Sequence, residues 1–216
     1  MTELQGKISS KTKAIIYNNP NNPLGKVFTW DEITSLCNLV IDNDILMISD
    51  EVYEHMVFDD SKMIRMAEMP GMWDRTITIG SAGKTFSVTG WKLGWAVGPA
   101  NLISNCGVVH QNCVYTCPTP IQEAVARGFE KEMARMDSEE CYFRSISVDL
   151  QRKRDYLAQV LTDVGMKPVI PEGGYFMMAD WSELADKIDL SSETDTAKDY
   201  RLATWNGQCQ CFIFEV

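Results

Sequence analysis

Three short apolar runs in this chain each end in a residue that can do chemistry. Lys13-Ala14-Ile15-Ile16-Tyr17 leads into Asn18-Asn19-Pro20-Asn21-Asn22-Pro23-Leu24-Gly25, Ile45-Leu46-Met47-Ile48 into Ser49-Asp50-Glu51, and Thr76-Ile77-Thr78-Ile79 into Gly80-Ser81-Ala82-Gly83-Lys84. A lysine amine can bond covalently to a carbonyl carbon. A carboxylate behind an apolar run is either a helix N-cap or a buried ion that needs a cation. Taken alone, Lys84 reads as a solvated loop lysine and Asp50 as a cap. The glycines at 80 and 83 lie too close together for the phosphate-loop pattern Gly-x-x-x-x-Gly-Lys-Ser/Thr.

The elements that must position these residues alternate between periods. The three apolar runs read as buried strands, and Leu93-Gly94-Trp95-Ala96-Val97 as a fourth. Between the first two, Thr29 and Glu32 form a capping-box pair, and Ile33, Leu36, Cys37, Val40 and Ile41 recur at helical spacing. Thr119 as N-cap, Pro120 and Gln122 predict a helix to about Met136. A longer helix is predicted from Ser138 to about Val164, stopped by Gly165, with a strand at Tyr175 to Ala179. This is an α/β order with a mainly parallel sheet, and a boundary near residue 138 divides the chain into 1–137 and 138–216. In such sheets ligands bind outside the carboxyl ends of the strands, where Asn22, Asp50, Ser81 and Lys84 all fall.

Composition narrows the function. The 216 residues are 45% hydrophobic and carry a net charge of −10, which repels nucleic acid and anionic membrane surfaces. No run approaches the ~20 apolar residues of a membrane span, and the N-terminus lacks the apolar core of a signal peptide, so the expected compartment is cytoplasmic, with the mitochondrion as the alternative. Seven cysteines, mostly in apolar runs, read as reduced core residues. With no Cys-x-x-Cys and only His55 and His110, no metal site is expected.

The joint pattern is more specific than any of its parts. Asn-Pro-Leu-Gly at 22–25, Ser-Asp-Glu-Val-Tyr at 49–53, Ser-Ala-Gly-Lys at 81–84 and Gly-Trp-Lys-Leu-Gly-Trp at 90–95 occur in that order. The chain resembles the fold-type I, pyridoxal-phosphate-dependent class I aminotransferases. It is most similar to the kynurenine and glutamine aminotransferase branch, also known for cysteine-conjugate β-lyase activity, through Gly71-Met72-Trp73, Ser81 to Trp95 and His110-Gln111-Asn112. The likeness runs from about Leu4 to about Arg201.

The resemblance implies a partial three-layer α/β/α large domain followed by part of an α+β small domain. It also implies the cofactor pyridoxal 5′-phosphate and a homodimer, with an amino acid and a 2-oxo acid as substrates. Lys84 would be the catalytic amine that bonds to the cofactor aldehyde and then carries a proton from the substrate's Cα. Asp50 would pair with the pyridinium nitrogen, Tyr53 and Asn22 would contact the ring's phenolic oxygen, and Ser81 and Lys92 would bind the phosphate. Lys92 stands where the wider class has arginine, exchanging a two-pronged contact for a point charge. Asn22 and Tyr115 would face the substrate, and Gly173-Gly174-Tyr175-Phe176 is similar to the segment lining its entrance; either tyrosine also reads as packing.

Set beside the family, the chain is expected to be truncated at both ends. It lacks the family's phosphate-cradling helix start, the aromatic that stacks on the cofactor, the aromatic contributed across the dimer and the arginine that grips the substrate carboxylate. Its tail, Asn206 to Val216, is unlike the family. Two functional readings follow: transamination of kynurenine, glutamine, aromatic or sulfur amino acids with a 2-oxo acid, with β-elimination as a side activity; or an inactive product that binds the cofactor weakly or pairs with a full-length subunit. A plain α/β domain without cofactor would require the ordered motifs to be chance.

Overall fold

The computed structural model describes residues 1–194 and 197–208. Four strands, β1 (Ala14–Asn18), β2 (Leu46–Asp50), β3 (Thr76–Ser81) and β4 (Gly94–Val97), form a sheet in that order, with β1, β2 and β3 parallel and β4 antiparallel to β3. The register pairs Asn18 with Asp50 and Asp50 with Ile79, so the polar strand ends line up along one edge. This mixed, mostly parallel sheet with its helices agrees with the expected α/β class.

A short helix α1 (Thr2–Lys7) precedes the sheet, and α2 (Trp30–Asp42) connects β1 to β2. The capping box forms as read: Thr29 Oγ1 accepts from the Glu32 N–H, and Glu32 Oε2 accepts from the Thr29 N–H. Ile33, Leu36, Cys37 and Val40 are buried, packed with Tyr17, Met47, Met66 and Met72 against one sheet face. Ile41, expected on the same stripe, is 37% exposed, and Leu39 is buried in its place. The other sheet face presents Ile16, 76% exposed, and Leu46, 36% exposed.

The four-residue α3 (Ala82–Thr85) follows β3 directly. After β4 comes α4 (Ala100–Cys113), unforeseen in the sequence because none of its residues is buried and its apolar residues gather on no clear stripe. In α5 (Thr119–Met133) the start differs from expectation: Thr119 is already helical, Pro118 precedes it, and Gln122 turns back to donate to the Cys117 carbonyl. Likewise α6 (Tyr142–Asp163) begins at Tyr142 and not at Ser138, because residues 134–140 form turns. Gly165, at φ +87°, ends it as foreseen, and the Met166 N–H closes on the Leu161 carbonyl.

The predicted strand at 175–179 is shorter and later, β6 (Met178–Asp180), paired antiparallel with β5 (Lys167–Val169). Tyr175 and Phe176 are thereby left free to pack inward against Tyr53, Met56, Phe58 and Leu150. A last helix, α7 (Lys198–Gln208), follows. Cys37 and Cys141 are buried as expected, with burial pushing the Cys37 thiol up to about 11, but Cys106 and Cys113 are exposed because α4 is uncovered. Cys209, Cys211 and the rest of the atypical tail after Gln208 lie outside the described residues. Among the described residues no helix is long and apolar enough to cross a membrane.

The two sheet faces make opposite demands on isoleucine. Replacing fully buried Ile33 with Ala is expected to lower stability by about 2–5 kcal/mol. Ile16→Ala, on the exposed face, is expected to change it by less than about 1 kcal/mol. Urea denaturation of both variants checks this, and equal losses would contradict the assignment of faces.

Candidate active site

Strand ends and one connecting segment build the site. The Asn18 side chain bridges the first two strand ends: its Nδ2 donates to the Asp50 carbonyl at 3.1 Å, and its Oδ1 accepts from the Asn22 N–H at 2.6 Å. The loop after β1 is thus folded back toward the end of β2. From that loop Asn22 Nδ2 donates to Tyr53 Oη at 3.2 Å. Tyr53 is 3% exposed, and burial, aided by the neighbouring Tyr175 and Asp50, holds its phenol above the ordinary range, so it stays protonated and able to donate.

Asp50 is half-buried. Its Oδ1 accepts from the Val52 N–H at 3.4 Å; residues 52–55 form turns, so this contact caps a turn and not the helix that position alone suggested. Ser81 ends β3 opposite Gly94 and immediately precedes α3. Lys84, on α3, donates to the hydroxyl of Tyr175. Its Nζ lies 4.8 Å from the Tyr175 ring centroid and 5.7 Å from that of Tyr53, and the two rings meet edge to face at 5.4 Å.

The remaining two expected residues stand apart from this group. Lys92 is exposed in a left-handed turn, although the Ala82 N–H bond to the Leu93 carbonyl keeps that turn beside the start of α3. Tyr115 is 78% exposed after α4, with no ring contact or side-chain hydrogen bond among the described residues.

The sequence marked Gly173-Gly174-Tyr175-Phe176 only as similar to a segment lining the substrate entrance and left Tyr175 undecided; the backbone contacts that deliver Tyr175 to Lys84 were not foreseen. The Glu172 and Gly173 N–H groups both donate to the Gly25 carbonyl, Phe58 N–H to the Glu172 carbonyl, Gly174 N–H to the Met56 carbonyl, and Val27 N–H to Glu172 Oε2. Gly25 is required here: at φ +69°, a Cβ would also fall 2.2 Å from Pro171 Cβ. The adjacent pair Gly173-Gly174 was the available signal. Beside Lys84 and Tyr175 opens a cleft of about 630 Å³, whose far wall, on α6, carries Tyr142, Asp149 and Lys153.

Beneath Asp50, sequence reading also missed a buried carboxylate. Glu51 is 1% exposed; its Oε1 accepts from Ser49 Oγ at 2.8 Å and the Met66 N–H at 3.1 Å, and Arg65 stands 3.5 Å from its Oε2. Desolvation outweighs these partners and raises its pKa.

The class I and II aminotransferase family matches residues 1–204, and the chain belongs to that family. At the level of single proteins it is 54% identical to kynurenine–oxoglutarate transaminase 3 of Rattus norvegicus over 204 residues, covering 94% of this chain and 44% of the relative. It is 47% identical to kynurenine–oxoglutarate transaminase 1 of Homo sapiens, over 94% of the chain and 48% of the relative. Among solved structures it matches Bna3p of Saccharomyces cerevisiae with a TM-score of 0.84 at 35% identity, over 95% of this chain and 48% of that one. It matches the N-succinyldiaminopimelate aminotransferase of Mycobacterium tuberculosis with a TM-score of 0.79 at 37% identity, over 89% and 48%. The chain thus spans about half the length of the curated relatives it matches.

Burial of Glu51 has a pH signature. Because its folded pKa is raised, the native state holds the extra proton between the ordinary carboxylate range and the raised value. Stability therefore falls as pH rises through that window. Glu51→Gln removes this dependence, so its melting temperature relative to the parent chain is expected to be more favourable at pH 7 than at pH 4. Thermal unfolding at the two pH values checks this; an equal difference at both would contradict it.

Proposed function

We propose that this chain binds pyridoxal 5′-phosphate through Lys84 and transfers an amino group from an amino acid to a 2-oxo acid. The observation that carries the reading is the environment of Lys84: an amine directly after a parallel strand, set against two tyrosine hydroxyl-bearing rings, with the Asp50 carboxylate at the neighbouring strand end. The donor set fits this cofactor. It offers an amine for an aldehyde, a carboxylate for a protonated ring nitrogen, a protonated phenol and an amide for a phenolate oxygen, and Ser81 with Lys92 for a phosphate.

Bound pyridoxal phosphate supplies an aldehyde that condenses with amines and a ring that accepts the electron pair released at a substrate Cα. The work of the chain is to hold and to move protons. Asp50 would hold a proton on the ring nitrogen by charge pairing. Tyr53, kept neutral by burial and hydrogen-bonded by Asn22, would hold the phenolic oxygen as a donor. Lys84 would hold the aldehyde through its amine and, as a free amine, would be the base that takes and returns the substrate's Cα proton.

The relatives' names support kynurenine as a donor and 2-oxoglutarate as an acceptor; glutamine, aromatic and sulfur amino acids as further donors, and β-elimination as a side reaction, rest on the family resemblance alone. We further assign residues 1–137 to the cofactor-binding domain and 138–216 to a smaller second domain, Tyr115 to the substrate side, and the working form to a cytoplasmic homodimer.

Turnover of kynurenine with 2-oxoglutarate by the full chain is the test. Lys84→Ala is expected to abolish it, and Asp50→Asn to lower it by about two orders of magnitude, the scale of losing one electrostatic partner of developing charge, with a smaller effect on cofactor retention. Cofactor binding without turnover in the parent chain, or turnover surviving Lys84→Ala, would overturn the proposal.

A further inference from the structure

Lys84 carries a flexible four-carbon stem on a four-residue helix, beside an open cleft of about 630 Å³. A side chain of this kind loses considerable rotamer freedom on being fixed. Its amine nevertheless has a definite address: it donates to the Tyr175 hydroxyl and lies over the Tyr175 ring, with the Tyr53 ring close by.

The Tyr175 ring is itself held in place by the backbone that precedes it. Gly173 forms an antiparallel bridge with Val57, and a Cβ on it would fall 2.7 Å from the Met56 carbonyl oxygen and 2.9 Å from Pro20 Cβ. Gly174, at φ +75°, then turns the chain so that the next ring meets Tyr53 edge to face and Phe176 at 4.7 Å. Tyr175 therefore enters the site as the end of a rigid segment tied both to the loop bearing Asn22 and to the stretch following Tyr53.

We infer that Tyr175 is a positioning residue for Lys84: its hydroxyl accepts the amine's hydrogen bond and holds the amine against the Tyr53 and Tyr175 rings until a carbonyl ligand draws it away. The inference rests on the reading of Lys84 as the reactive amine, and it adds that the segment at 171–175 sets how available that amine is in the cofactor-free chain. An amine engaged with the Tyr175 hydroxyl and lying against two rings is less free to present itself to a reagent. Removing its acceptor therefore makes Lys84 more reactive toward a small reagent that needs no other group.

The experiment is acetylation of the full, cofactor-free chain by dilute acetic anhydride, followed lysine by lysine by peptide mass spectrometry. In Tyr175→Phe, which keeps the ring and loses only the hydroxyl, Lys84 is expected to be acetylated about three- to tenfold faster, the factor that one net hydrogen bond is worth. Lys92 and Lys153 serve as internal references with unchanged rates. Equal Lys84 rates in the parent chain and Tyr175→Phe, with a change only in Tyr175→Ala, would reduce Tyr175 to packing and overturn the inference. A parallel rise at Lys153 would mean general loosening of the cleft and would overturn it too. Because no cofactor is present, a faster Lys84 in Tyr175→Phe sustains this inference even if pyridoxal phosphate is not captured, an outcome that would count against the function proposed above and not against this one.

Discussion

Three stretches of backbone approach one another closely at Gly25, at Met56 to Phe58 and at Pro171 to Gly174, and the rest of the site depends on that junction. Five hydrogen bonds knit it together, four from N–H to carbonyl and one from the Val27 N–H to the Glu172 carboxylate. Side chains are excluded from its tightest points, where a Cβ on Gly25 or Gly173 would overlap Pro171 or the Met56 carbonyl. Its consequence is reach. Residues distant in sequence, Asn22, Tyr53 and Tyr175, are brought around Lys84 with their polar atoms paired. Arg154 reinforces the junction from α6: its guanidinium lies 5.2 Å from the Phe58 ring centroid and donates to the Pro171 carbonyl at 3.1 Å and to Asp59.

The sheet supplies the other half of the arrangement. Parallel pairing of β1, β2 and β3 puts three carboxyl ends on one edge, so that Asn18, Asp50 and Ser81 share it without any loop having to bring them there. Burial behind that edge has a cost as well as a benefit. The methionine-rich core under α2 anchors β1 and β2, yet Glu51 enters the same interior as a carboxylate and is held by Ser49, the Met66 N–H and Arg65. Asp50 and Glu51 are thus adjacent carboxylates in different surroundings, one turned to the site and one buried beneath it.

Much of this was legible in the sequence, for identifiable reasons. Strand positions followed from apolar runs with polar ends, and α2 from a capping box that the structure reproduces atom by atom. The grouping of Asn22, Tyr53 and Lys84 was foreseen only through the ordered motifs, since each residue alone has a bland reading. What escaped was what local pattern does not encode. The helix α4 buries nothing and so writes no stripe, Ile41 and Leu39 exchange roles because packing and not spacing sets the edge of a buried face, and Glu51 looks like any surface glutamate. The contact of Tyr175 with Lys84 spans ninety-one residues; the glycine pair before Tyr175 marked a close approach without saying to what.

One lysine of this chain, Lys84, is set apart from the others by its surroundings. Incubation of the full chain with pyridoxal phosphate, borohydride reduction and peptide mapping tests it directly. A pyridoxyl group is expected on the peptide containing Lys84, at about one per chain, under conditions in which exposed lysines such as Lys92 and Lys153 stay largely unmodified. Modification spread over the exposed lysines with none concentrated at Lys84 would contradict it.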